Sequence, residues 1–197
     1  MHRRDIFVLN FVTHLVALFC GMGTLVFEVV WTRQLGILLN GDTLAISTVL
    51  FAFLLGLGLG SEFFGRCVDR VKDSWDFCAW LALGTIAFGI GWYFLLSPGL
   101  FAILPITHGS PTLSYFIRGG ILTAIIFPPT FLMGGFIPAL LRSVVNLDPS
   151  ISSKAGQLYA AHTFGAIVGA LIAGFWLIPQ YGTIGATAIA ILIFSTI

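Results

Sequence analysis

Apolar residues run along this chain in long unbroken blocks, separated by short polar or proline-bearing stretches. Six blocks can be read: about Ile6 to Val30, Thr43 to Phe64, Phe77 to Leu96, Phe116 to Leu141, Leu158 to Ile178 and Thr183 to Ile197. None alternates with the period of two that a barrel strand shows. Most reach roughly the 20 residues that a helix needs to cross a bilayer. Backbone groups in lipid are satisfied only inside helices or closed barrels. The pattern therefore predicts an all-α fold, a polytopic bundle of six transmembrane helices in one domain over residues 1–197. The sixth block, about 15 residues, is short for a span and ends without a charged anchor, so the expectation is a natural chain that continues past Ile197.

Composition agrees. Hydrophobic residues make up 58% of the chain and charged ones 9%. A soluble domain carries about 25% charged residues, and disorder requires low hydrophobicity, so both classes are excluded. A net charge of +1 gives no reason to expect nucleic acid. Cys20, Cys67 and Cys78 have no metal-type spacing.

His2-Arg3-Arg4 resembles the start of a signal peptide. The apolar run behind it is too long, and no small-residue cleavage site ends it. The first block reads as a retained span. Orientation follows from the short loops. Arg3, Arg4, Arg66, Arg70, Lys72, Arg142 and Lys154 fall on one side, and Arg33 and Arg118 on the other. This predicts both termini in the cytoplasm, across a bacterial-type inner membrane. The third loop, Ser97 to Leu113, is uncharged and predicts an outer interfacial helix with Phe101 at headgroup depth. Most Trp and Tyr residues, among them Trp31, Trp75, Trp80, Trp92, Trp176 and Tyr181, sit near block ends and read as an interfacial belt.

Segment 1 carries a stripe spaced by fours and threes: Asn10, His14, Ala17, Gly21, Thr24, Glu28, Trp31. A carboxylate facing lipid costs about 2.5–3.5 kcal/mol even on a lenient scale, so this face packs on helices or lines a cavity. Segment 5 repeats the arrangement with Tyr159, His162, Ala166, Gly169, Ala173 and Trp176. Segment 2 has Ala45, Thr48, Ala52, Gly56 and Gly60. Rows of small residues let backbones approach, so segments 1, 2 and 5 are expected to form the packed interior. Pro128-Pro129, Gly134-Gly135 and Pro138 predict a broken fourth helix beside a polar cavity.

Several stretches together resemble the membrane-bound spermidine synthase-like proteins. They are Leu25-Val26-Phe27-Glu28-Val29-Val30-Trp31-Thr32-Arg33, Ser47 through Ser61, Pro128 through Gly135 with Pro138 and Arg142, and Gly156 through Ala166 with Gly169-Ala170. The resemblance implies a multi-pass transmembrane module related to half of a major-facilitator fold. Gly65-Arg66-Cys67-Val68-Asp69-Arg70 looks like the facilitator loop motif. In the family such a module usually precedes a soluble aminopropyltransferase-like domain. No Gly-rich strand-to-helix turn with a following acidic pair stands in these residues, so the aminopropyl-transfer activity does not carry over. The family usually has Tyr where Phe27 stands and Asn where His162 stands.

Glu28, Trp31, Arg33, Tyr159 and His162 are the substrate-binding candidates. Glu28 reads either as counter-charge for a cation, or a proton site, or as a structural partner of Arg33, Arg118 or a helix terminus. His14 and His162 are candidate ligands for haem or chlorophyll, against a plain hydrogen-bonding role. Asp69, Arg70 and Arg66 read as a gating latch or as a solvated turn that holds topology. No nucleophile–base pair and no metal cluster is legible, so no catalytic residue and no resident cofactor is expected. Two functions follow. One is a non-catalytic module that binds or transports a small organic cation or anchors a soluble enzyme. The other is a structural or accessory subunit of a larger membrane complex. Expected partners are membrane lipids and a second membrane subunit, a homodimer mate or a soluble domain beyond Ile197.

Overall fold

A computed structural model describes residues 3–38, 43–95, 111–145 and 151–197. The described residues are helical, without strands: α1 (Arg3–Leu38), α2 (Thr43–Val68), α3 (Ser74–Leu95), α4 (Pro111–Gly134), α5 (Phe136–Val145), α6 (Ile151–Ile172), a π-helical turn (Ala173–Leu177) and α7 (Ile178–Ser195). The expected interfacial helix of the third loop lies outside these residues. Five helical stretches are long and apolar enough to cross a membrane, which points to an integral membrane protein.

The last of the five, Ser153–Ser195, is 43 residues long. A straight helix of that length would reach about 65 Å, twice the hydrocarbon core. Gly182 breaks it. Its φ of 67° and ψ of 179° are non-helical, in a region that essentially only glycine occupies. The sixth block of the sequence thus begins at a backbone corner, and Phe194 beyond it packs back onto Phe27 of α1 and Phe136 of α5.

Two helix pairs carry the bundle. Along α1 and α6, Gly165 meets Leu18 and Gly169 meets Met22, so the helices run parallel in constant register. A methyl group at Gly21 would collide with the carbonyl of His162. The second pair is α2 with α4. Gly56 lies on Thr130, Gly60 on the carbonyl of Phe131, and Gly134 on the backbone of α2 around Leu57 and Ser61. Van der Waals closeness of this kind is what associates helices in lipid.

The expected interior of segments 1, 2 and 5 needs correction. The most buried stretches are those of α1 and of α4–α5, whereas α2 and the α6–α7 stretch are the least enclosed. Glycine rows on α2 and α6 each seat one partner helix. The remaining faces are large and apolar and look outward, as Leu50, Phe51, Leu54, Phe164, Ile167 and Phe175 do. The belt reading fails for Trp31 and Trp92. Both are buried in an aromatic core with Phe27, Phe88 and Phe194, and Trp92 Nε1 donates to Gln34 Oε1 at 2.9 Å. Trp80, Trp176 and Tyr181 remain exposed.

The fourth block is broken as expected, at Gly135 between α4 and α5. The expected polar cavity is not at the break. Phe64 and Leu81 close on Gly135, and the Thr130 hydroxyl donates to the carbonyls of Ile126 and Phe127 within its own helix.

The α2–α4 contact has a measurable consequence. A Cβ at Gly60 meets fixed backbone, whereas one at Gly58 meets open space. Gly60→Ala should lower stability by about 1–3 kcal/mol through overpacking. Gly58→Ala should raise it by about 0.5–1 kcal/mol through helix propensity. Unfolding of both variants in detergent micelles, followed by circular dichroism, checks the opposite signs.

Candidate functional site

The polar stripe of α1 is withdrawn from lipid. Ala17, Gly21, Thr24 and Trp31 are buried, and Asn10, His14 and Glu28 are half-buried. Toward the Arg33 end of the α1–α6 seam the two helices part. A groove of about 370 Å³ opens there, lined by Leu25, Glu28, Val29, Thr32 and Arg33 of α1 and by Gly174 and Ile178 across from them.

The opposite wall is shaped by the π-helical turn. The amide of Ile178 donates to the carbonyl of Ala173, five residues back, so the helix is one residue wider here. Gly174 lies in that turn, and a Cβ on it would meet nothing within 4 Å. At Gly174 no side chain stands on this wall of the groove.

Glu28 has no ion pair or hydrogen bond to its carboxylate among the described residues. The reading of Glu28 as a structural partner of Arg33 or Arg118 is therefore not what the geometry shows. One turn below it, Thr24 is buried with an unpartnered hydroxyl. The other buried threonines (Thr13, Thr85, Thr130 and Thr187) each donate to a carbonyl of their own helix. Thr24 does not.

The remaining candidates are dispersed. Trp31 is in the aromatic core and not in the groove; its indole N–H has no acceptor among the described residues. Tyr159 is 63% exposed near the start of α6, and Gly174 is 15 residues further on, about 22 Å along a helix. His162 is half-buried at the other end of the seam from the groove. Its backbone carbonyl lies against Gly21, seven residues along α1 from His14. His14 Nδ1 lies 2.7 Å from the carbonyl of Asn10. A carbonyl only accepts, so the neutral ring carries its proton on Nδ1 and keeps the lone pair on Nε2. No group of three or more potential metal ligands occurs among the described residues.

The candidate latch sits at the far end of α2. Arg66 pairs with Glu62 one turn back. Asp69 lies 3.9 Å from Arg142 of α5, an exposed and therefore weak contact. Arg70 closes the last turn of α2 through its amide to the carbonyl of Cys67. Arg66 and Arg70 line a second groove of about 490 Å³ with Leu59, Glu62, Phe63, Cys67 and Phe131. Of the latch residues, Asp69 links the turn between α2 and α3 to α5.

Sequence reasoning missed the π-helical turn and Gly174. The only signal available was a glycine, in the run Ala173-Gly174-Phe175-Trp176, on the helix that repeats the stripe of segment 1. No family model, curated protein or solved structure matches the chain.

Proposed function

We infer that this chain is a six-span, half-facilitator-like membrane module that binds a small organic cation at Glu28, either to pass it on or to present it to an attached or separate soluble enzyme. The observation that carries this reading is the unpaired carboxylate in a groove walled by the π-helical turn. An ionised carboxyl inside an apolar helix stands there at a cost unless something compensates it. Inside the chain nothing does so among the described residues. A ligand ammonium would. The resemblance to spermidine synthase-like proteins, in a stretch that includes Glu28, Trp31 and Arg33, agrees with a ligand of this class.

The geometry also supports an arrangement of six spans with both termini on the cytoplasmic side. The corner at Gly182 divides the 43-residue stretch. The parallel register of α1 with α6 brings Lys154 to the N-terminal end of α1, and the Asp69–Arg142 contact joins the turn after α2 to α5. Positive charge gathers there, as it does on cytoplasmic faces.

A second reading rests on His14. With its proton on Nδ1, His14 presents Nε2 as a ligand atom, which fits an accessory subunit that holds haem or chlorophyll.

Three outcomes follow. In the purified protein spermidine should raise the melting temperature, and Glu28→Gln should abolish that shift while leaving the unliganded melting temperature within a few degrees. An equal shift in the variant removes Glu28 as the counter-charge. In intact cells an impermeant maleimide should leave Cys67, at the end of α2, unlabelled until the membrane is permeabilised, whereas the buried Cys20 and Cys78 stay unlabelled throughout. Labelling of Cys67 from outside would invert the topology. The pigment reading requires a visible absorption band in protein purified from its native membrane, lost in His14→Ala, and a spectrum without one ends it.

A further inference from the structure

The groove at Glu28 holds a second charge that the cation reading does not use. Arg33 lines the same groove, five residues along α1. Residues three or four apart on a helix meet face to face; residues five apart are turned about 140° from one another. The other acid–base set in a groove shows the contrast. Glu62 and Arg66, four apart on α2, pair and cancel each other. Glu28 and Arg33 do not pair. They flank the groove, with Leu25, Val29 and Thr32 between them on the helix surface and Gly174 and Ile178 opposite.

We propose that the groove takes a small zwitterion, with a primary ammonium held by Glu28 and a carboxylate or phosphate held by Arg33. This rests on the reading of Glu28 as a cation site and narrows its ligand class. Each charge in the groove then finds its complement in one molecule, and the pair needs no third partner. The acid and the base are about 7.5 Å apart along the helix axis, which suits charged ends separated by a few carbon atoms. Depth decides the source. Glu28 is eight residues inside the Gly36 end of the apolar stretch Val8–Gly36, and Arg33 only three. A solute that enters from the water, ammonium first, matches that order. A phospholipid of that leaflet has its chains deepest and its phosphate above them, so Glu28 would face chain or glycerol rather than ammonium.

Three probes of one chain length separate the terms: 4-aminobutyrate, butylamine and butyrate, with binding read by calorimetry on the full chain in phosphatidylcholine nanodiscs. The zwitterion should bind at least tenfold tighter than either single-charge analogue. Arg33→Gln should reduce 4-aminobutyrate to the level of butylamine, Arg33→Lys should restore part of the difference, and Glu28→Gln should reduce it to the level of butyrate. If butylamine matches 4-aminobutyrate and Arg33→Gln changes neither, the zwitterion is overturned and the cation site stands. If neither these probes nor spermidine bind, both fall. If phosphatidylethanolamine nanodiscs stabilise the protein through Glu28 and Arg33 while 4-aminobutyrate has no effect, the soluble ligand is overturned in favour of a lipid headgroup.

Discussion

The backbone-to-backbone contact between α1 and α6 is the constraint on which the rest of the bundle depends. Lipid tails are as apolar as leucine, so association inside the bilayer gains nothing from leaving water. It must come from close packing. Gly21, Gly165 and Gly169 let the two helices meet along their main chains, where a single methyl group would already collide. The contact admits one register and leaves little freedom for sliding. It also decides where a groove can form. Past Gly169 the small residues that press against α1 give way to the wider π-helical turn, and Gly174 faces open space. The groove at Glu28 begins where the tight seam ends.

The helices were legible because a membrane span announces itself by length and unbroken apolarity, not by period. The polar stripe of α1 was legible for a related reason: Glu28 cannot face hydrocarbon. Partner choice was not. A row of small residues says that some helix comes close, without saying which, and the row on α2 receives α4 rather than α1 or α6. Trp31 and Trp92 misled because apolar blocks were taken to end near them. The α1 helix runs on to Leu38, and the indole of Trp31 stacks inside the bundle.

The candidate site was half legible. Glu28 stood out as a charge within an apolar run, and Arg33 stood close to it in sequence. Tyr159 and His162 were drawn in because they share a stripe with Gly169 and Ala173. A stripe fixes direction around a helix and not height along it, and these residues sit several turns below the groove. The wall that faces Glu28 had no signature beyond a single glycine, Gly174. A π-helical turn is set by how a helix meets its neighbours, and the residues Ala173–Leu177 would sit as well in an ordinary α-helix.

Irregular backbone at membrane depth survives only where protein encloses it or where it borders a cavity. Among the described residues, and apart from the corner at Gly182, two such places resolve in opposite ways. At Gly135, after Pro128-Pro129, the break is plugged by Phe64 and Leu81, and the Thr130 hydroxyl bonds back into its own helix. Its polarity is used up inside the fold, so it joins helices and offers nothing to a ligand. The π-helical turn is not plugged. It borders open space across from a carboxylate without a partner, and one turn below that carboxylate a buried hydroxyl is left free. The prolines are the louder signal in the sequence, but a site for a ligand needs unsatisfied polarity together with room, and those two conditions coincide at Glu28.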